Sequence, residues 1–148
     1  MSHPQTCPEC GAARKDGEAC EDFFHQMLFW ESEHPAYGAQ VHHLMLLCYH
    51  LQHASLYSPE GLEYARQLLE EFLEHGTSPD QIRRRNRNSV ASNRRTWKIK
   101  GTGEEHGSYS HRVYWLMTAA DVVAWGVEHY CDSVRLWARS ISDSLAAE

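Results

Sequence analysis

No stretch of this 148-residue chain strings together the roughly 18 apolar residues that a membrane-spanning helix requires, so a transmembrane protein is not expected. Residues Met1 to Cys10 are polar, hold two prolines and lack an apolar core, so no secretory signal is visible and the expected compartment is cytoplasmic. The nucleophile elbow G-x-S-x-G is missing, which leaves Ser-His-Asp hydrolysis without support. Gly101-Thr102-Gly103 lacks both the strand–helix setting and the lysine-serine ending of a phosphate-binding loop. There is no internal repeat, and no second C-x2-C pair to make a standard zinc ribbon. Residues 83–100 hold no acidic residue and a dense run of basic ones.

That stretch holds Arg83, Arg84, Arg85, Arg87, Arg94, Arg95, Lys98 and Lys100, in a chain whose net charge is −6. The rest of the sequence carries the remaining six of the 14 basic residues against all 20 acidic ones. A basic patch on an acidic body fits an acidic partner or a second copy of the chain. With Trp97 interleaved it also fits nucleic acid, through phosphates and stacking. A solvated segment balancing the acidic body is the simpler expectation, because no recognised DNA or RNA motif accompanies the arginines.

The strongest positive signal is an inventory of metal ligands in the first third. Cys7-Pro8-Glu9-Cys10-Gly11 opens it, Cys20 follows, and His42, His43, Cys48, His50 and His53 crowd one short segment. The two thiolates of a C-x2-C turn fold back so that both sulfurs reach one ion at about 2.3 Å. A closed structural site needs four ligands, so the knuckle's two must be joined by Cys20 and a histidine, with His53 the best choice and His42 the first substitute. Zinc or another divalent transition metal is the expected cofactor. Five cysteines is an odd number and cytoplasmic thiols stay reduced, which disfavours a disulfide framework. Cys48 and Cys131 are expected to be buried apolar thiols.

Punctuation along the chain divides it into helices within one domain spanning 1–148. Residues 1–17 form the N-terminal knuckle, 18–75 a helical hairpin region, 79–110 a basic segment and flexible loop, and 118–145 a C-terminal helix. A first helix is expected over 18–33, with Glu18, Glu21 and Asp22 favouring its start and His34-Pro35 ending it. A second is expected over 38–57. Ser58-Pro59 starts a third, serine as N-cap and proline at the first helical position, running to about His75. Trp97 to Lys100 alternates like a short strand, and residues 101–110 are rich in Gly and Ser. Thr118 and Asp121 have capping-box spacing, with Val122, Trp125, Val134, Trp137, Ile141 and Leu145 as the core face of the last helix. The fold class is therefore mainly α, a bundle-like single domain of four or five helices with an N-terminal metal knuckle.

On a helix at 100° per residue, His42, His53, His50 and His43 fall on one arc of about 100°. His42 and His53 are separated by roughly 16 Å along such an axis and cannot share an ion there. Either two centres lie on this face, or some of these histidines do other work.

Several of these residues recur together in a way that resembles a family of small bacterial proteins of unknown function. The likeness rests on Cys7-Pro-x-Cys10-Gly, on Cys20, and on Val41-His42 leading to Tyr49-x-Leu51-Gln52-His53. It continues through Thr118-Ala-Ala-Asp121-Val122 and from Glu128-His129 to Trp137-Ala138-Arg139-Ser140, covering most of the chain. The resemblance implies that Cys7, Cys10, Cys20, His42, Gln52, His53 and His129 are the positions that matter, and leaves out His43 and His50. Ala54 stands where such proteins often have proline. The family has no established activity to carry over. At the level of fold analogy alone, His42, His53 and His129 on different helices are similar to the three-histidine centres of helical metal-dependent hydrolases and thiol transferases. Two functional classes thus stand side by side: a structural metal site in a binding or interaction module, and an enzyme with an open, histidine-lined metal. No catalytic residue is assigned in either.

Overall fold

The computed structural model describes residues 7–12, 20–75, 107–109 and 113–146. The basic stretch 83–100, the alternating segment at Trp97 and most of the 101–110 loop lie outside the described residues. Within the described residues there are five α-helices and no strand: α1 (Cys20–Glu33), α2 (Pro35–Leu51), α3 (Pro59–His75), α4 (Ala119–Trp125) and α5 (Tyr130–Ala146). Among the described residues, no helix is long and apolar enough to cross a membrane.

α1 starts with Glu21 and Asp22 against the positive end of its own dipole. It buries Cys20, Phe23, Met27 and Glu31, a stripe at helical spacing. His34 interrupts the helix because the following proline disfavours α geometry, and Pro35 then opens α2 directly, its fixed φ suiting the first turn. α2 therefore begins three residues earlier than its expected start at 38. It is the central helix: Val41, Leu44, Met45, Leu47, Cys48, Tyr49 and Leu51 are all buried, more than one face can supply. It packs most extensively on α5 and also touches α1 and α3.

The far end of α2 departs more consequentially from the expected span of 38–57. The helix stops at Leu51, where the Gln52 N–H still reaches the Cys48 carbonyl at 3.2 Å and the His53 N–H closes a tighter turn on the His50 carbonyl at 3.0 Å. One turn of 3-10 helix, Ala54–Leu56, carries the chain onward. The Ser58 Oγ then accepts the Gly61 N–H at 3.0 Å, and α3 begins at Pro59 as its sequence requires. α3 buries Leu62, Ala65, Leu68 and Leu69.

The single helix expected over 118–145 is two. Asp121 accepts the Thr118 N–H at 2.9 Å, which is the return arm of a capping box and starts α4. Gly126, at φ +91°, ends it. That backbone excludes side chains with a Cβ, so the break is written into the glycine. A 3-10 turn, Val127–His129, leads into α5. α5 presents Tyr130, Ser133, Val134, Trp137, Ala138, Ile141 and Leu145 as one continuous buried stripe. Trp125, at the very end of α4, is 46% exposed and does not belong to the core face expected for it.

Candidate metal centre

Residues 7–12 form a tight turn closed by two backbone bonds of 2.9 Å, the Cys7 N–H to the Ala12 carbonyl and the Gly11 N–H to the Cys7 carbonyl. Gly11 sits at φ +78°, the left-handed conformation that lets the chain double back. The turn aims backbone donors at the sulfurs: the Cys10 N–H points at the Cys7 Sγ (3.5 Å) and the Ala12 N–H at the Cys10 Sγ (3.4 Å). Charge-assisted N–H···S contacts of this kind favour thiolate over thiol.

Two further groups meet the knuckle. Cys20 is the first residue of α1, at the helix end where a thiolate is favoured. His53 arrives from the turn after α2, freed from the helix by the stop at Leu51. Its Nδ1–H donates to the Tyr49 carbonyl at 2.6 Å, which fixes the tautomer and turns the Nε2 towards the Cys7 Sγ at 3.6 Å. The Cys10 and Cys20 sulfurs lie 3.1 Å apart. All four ligand atoms, Cys7, Cys10 and Cys20 Sγ and a His53 ring nitrogen, fall within 4.8 Å of one another, and all four residues are buried. Among the described residues this is the one group of three or more side chains able to hold a metal ion. A tetrahedral ion at about 2.3 Å from sulfur spaces its sulfurs about 3.8 Å apart, so seating one asks little more than a modest parting of Cys10 and Cys20.

Without an ion the cluster is one of shared protons. Hydrogen bonding to Cys10 pulls the Cys20 thiol down to about 4 against the opposing effect of burial, with His53 and Cys7 adding to the pull. The Cys20 hydrogen bond and burial push Cys10 the other way. Burial alone would lower His53, but its bonds to Cys20 and the Tyr49 carbonyl outweigh that and lift it to about 9. The pairing is a Cys20 thiolate beside a His53 imidazolium, with Cys10 keeping its proton. A divalent cation replaces the protons as the positive charge that the sulfurs need.

Of the expected ligands, Cys7, Cys10, Cys20 and His53 come together, and His42 does not join them. The His42 Nδ1–H donates instead to Glu31 Oε1 at 2.6 Å, and Tyr130 O–H donates to Glu31 Oε2. Glu31 is only 8% exposed, so this carboxylate ties α1, α2 and α5 together from inside. The helical-wheel placement of His53 beside His42 fails because His53 lies beyond the end of α2. His129 is exposed on the 3-10 turn before α5, and His50 Nδ1 lies 3.3 Å from the Tyr57 hydroxyl. Cys48 is fully buried and its thiol is pushed well up by desolvation, the state of an inert core residue, while Cys131 is half-buried.

Glu9, Ser55 and Trp115 carry no signal in the sequence, while Gln52 is among the positions that the resemblance names. Both carboxylate oxygens of Glu9, inside the knuckle, are taken by Ser55, through its N–H at 3.1 Å and its O–H at 3.0 Å. The Glu9 carbonyl accepts the Trp115 indole N–H at 3.1 Å across 106 residues of sequence. Gln52, buried beside His53, donates its side-chain amide to the Met117 carbonyl at 2.6 Å.

No curated protein and no solved structure matches this chain. The family of unknown function DUF5946 matches it over residues 5–146, from the knuckle to the end of α5, and the chain belongs to that family.

Proposed function

We propose that Cys7, Cys10, Cys20 and His53 bind one zinc ion in a closed, structural site, and that the protein is a small helical binding or interaction module. The observation that carries this reading is the convergence of four buried ligand atoms, drawn from three separate parts of the chain, within 4.8 Å. Three sulfurs and one imidazole suit zinc, and four protein donors fill a tetrahedral shell with no position for water. The groups around the ligands support the same reading, because the Tyr49 carbonyl orients His53 and the knuckle N–H groups serve the sulfurs. An open catalytic metal is the weaker alternative, since His42 is committed to Glu31 and His129 is exposed on its own turn. The need for free thiolates fits a reducing compartment such as the cytoplasm.

Cobalt substitution tests the proposal together with metal analysis. One zinc per chain is expected, and the cobalt form should show sulfur-to-metal charge transfer with the intense visible bands of a four-coordinate ion. A weak five- or six-coordinate spectrum, or a metal that exchanges its ligand for added azide, would point to an open site. Absence of bound zinc in protein purified without chelator would end the metal reading altogether.

A further inference from the structure

Two of the centre's sulfurs stand closer together than a metal holds them. The Cys10 and Cys20 Sγ atoms lie 3.1 Å apart. A tetrahedral ion parts such a pair to about 3.8 Å, and a disulfide draws it to about 2.05 Å. The observed separation falls between the two, so either arrangement is reached by a shift of about 1 Å or less.

The pair joins two different elements. Cys10 belongs to the knuckle turn and Cys20 is the first residue of α1, ten residues further on. A bond between them ties the knuckle to α1 by a second means besides the metal. Cys7 has other partners, since its Sγ faces the Cys10 N–H at 3.5 Å and the His53 Nε2 at 3.6 Å. Cys48, fully buried in α2, and Cys131, half-buried on α5, lie outside the cluster. The sulfurs of Cys10 and Cys20 are buried, yet only just beneath the surface, because Pro8, Glu9 and Gly11 of the knuckle are all exposed. Zinc keeps each ligand sulfur as a thiolate, which is also the form that attacks a peroxide.

We propose that this centre is a reversible oxidation site, at which hydrogen peroxide joins Cys10 to Cys20 and the zinc is expelled. This rests on the zinc reading above and adds the chemistry that empties the site. One thiolate attacks a peroxide oxygen, the O–O bond breaks, hydroxide departs, and the sulfur becomes a sulfenic acid. The second thiolate attacks that sulfur, the S–O bond breaks, and a second hydroxide leaves as the disulfide forms. The two sulfurs together lose two electrons, peroxide gains them, and both hydroxides take protons from solvent to become water. Zinc is left with Cys7 and His53, half the donors of a closed structural site, and passes to solvent. A dithiol returns the two electrons, becoming a disulfide itself, and restores the site.

Peroxide treatment of the zinc-loaded full chain tests this, with freed zinc read by a chromogenic chelator and the cysteines by peptide mass mapping. Cleavage after Glu9 separates Cys7 from Cys10, and cleavage after Arg14 and Lys15 separates Cys10 from Cys20. One zinc per chain is expected to leave as the chain becomes lighter by two hydrogens, and the peptides of Cys10 and Cys20 should be found linked. Dithiothreitol with fresh zinc should then restore both thiols and the full equivalent of metal. Cys131→Ser, which touches no ligand, should behave as the wild type does. Zinc retained in full after peroxide overturns the proposal and leaves the zinc site standing. Zinc freed while Cys10 and Cys20 can still be alkylated also overturns it. A bond mapped to Cys7, or an oxidation that dithiothreitol does not reverse, does the same. A wild-type protein that takes up no zinc overturns the zinc reading itself, and the expulsion with it.

Discussion

The imidazole of His53 reaches the Tyr49 carbonyl through Nδ1 at 2.6 Å and presents Nε2 to Cys7. One backbone oxygen, left at the last turn of α2, thereby decides which nitrogen of the ring is available as a ligand. A helix that ran on to residue 57 would have consumed that carbonyl in its own ladder and carried His53 away from the knuckle.

Ligand substitutions should separate the four cluster residues from the other histidines. Cys7→Ser, Cys10→Ser, Cys20→Ser and His53→Ala are each expected to drop zinc content from one per chain to below about a tenth, because structural sites lose most of their apparent binding energy, about 10–16 kcal/mol when complete, with a missing ligand. His42→Ala should retain its full equivalent of zinc. Elemental analysis of the five variants checks this, and a His42→Ala protein devoid of metal would refute the assignment.

The stability of the metal-free protein should change little between about pH 6.5 and 9. His53 titrates near 6.5 when unfolded and at about 9 in the folded cluster, so its contribution is complete below about 6.5 and is lost as pH rises through about 9. Cys20 titrates near 9 when unfolded and at about 4 in the cluster, so its contribution is complete above about 9 and is lost as pH falls through about 4. Between the two unfolded values the folded state holds one more proton on His53 and one fewer on Cys20, and the slopes cancel. Below about 6.5 the Cys20 slope stands alone, and stability should fall with acid. Urea denaturation of chelated protein at pH 5, 7 and 8.5 measures the profile, and a clear loss between pH 7 and 8.5 would count against the thiolate–imidazolium pair.

Glu31 is expected to matter for stability and not for metal. Its two oxygens serve His42 and Tyr130 from a nearly solvent-free position. Glu31→Leu removes both acceptors and leaves two polar groups to find others, at a cost of about 2–5 kcal/mol. Tyr130→Phe removes one bond and should cost about 1–2 kcal/mol. Denaturant midpoints give the loss, and zinc content should stay at one per chain in both variants.

Gly126→Ala tests the break between α4 and α5. The glycine sits at φ +91° and ψ 164°, a region closed to residues with a Cβ, although a Cβ there would meet no neighbour within 4 Å. The cost is therefore purely conformational, about 1–3 kcal/mol. Thermal melting of the zinc-loaded variant is the readout. A melting temperature equal to the wild type would mean that the chain does not need this conformation.

Local rules carried the helix starts and the ligand inventory a long way. Ser58 and Pro59 start α3, and Thr118 and Asp121 start α4, because a cap is a contact between residues three apart and is written within one turn of sequence. Cys7 and Cys10 are equally local, since a two-residue spacer sets both sulfurs on one turn. The errors have local causes too. α2 ends six residues before its expected end at 57, a stop the sequence does not announce because Gln52 and His53 belong to no strong stop signal. Gly126 gives no clear stop signal in the sequence, because one glycine in a helical pattern is often tolerated.

The residues alone specify the chemistry: Cys7, Cys10 and Cys20 with a surplus of histidines in the first third, helical periodicities that demand a bundle, and the caps that start its helices. Tertiary structure alone decided which histidine serves. His42 and His53 are alike in type and close in sequence, yet one faces a buried carboxylate from α1 and the other faces the knuckle. That choice, and the Glu9–Trp115 contact across 106 residues, depend on which surfaces α1, α2 and α5 bury against each other. No residue spacing records a distance that exists only after the helices have packed.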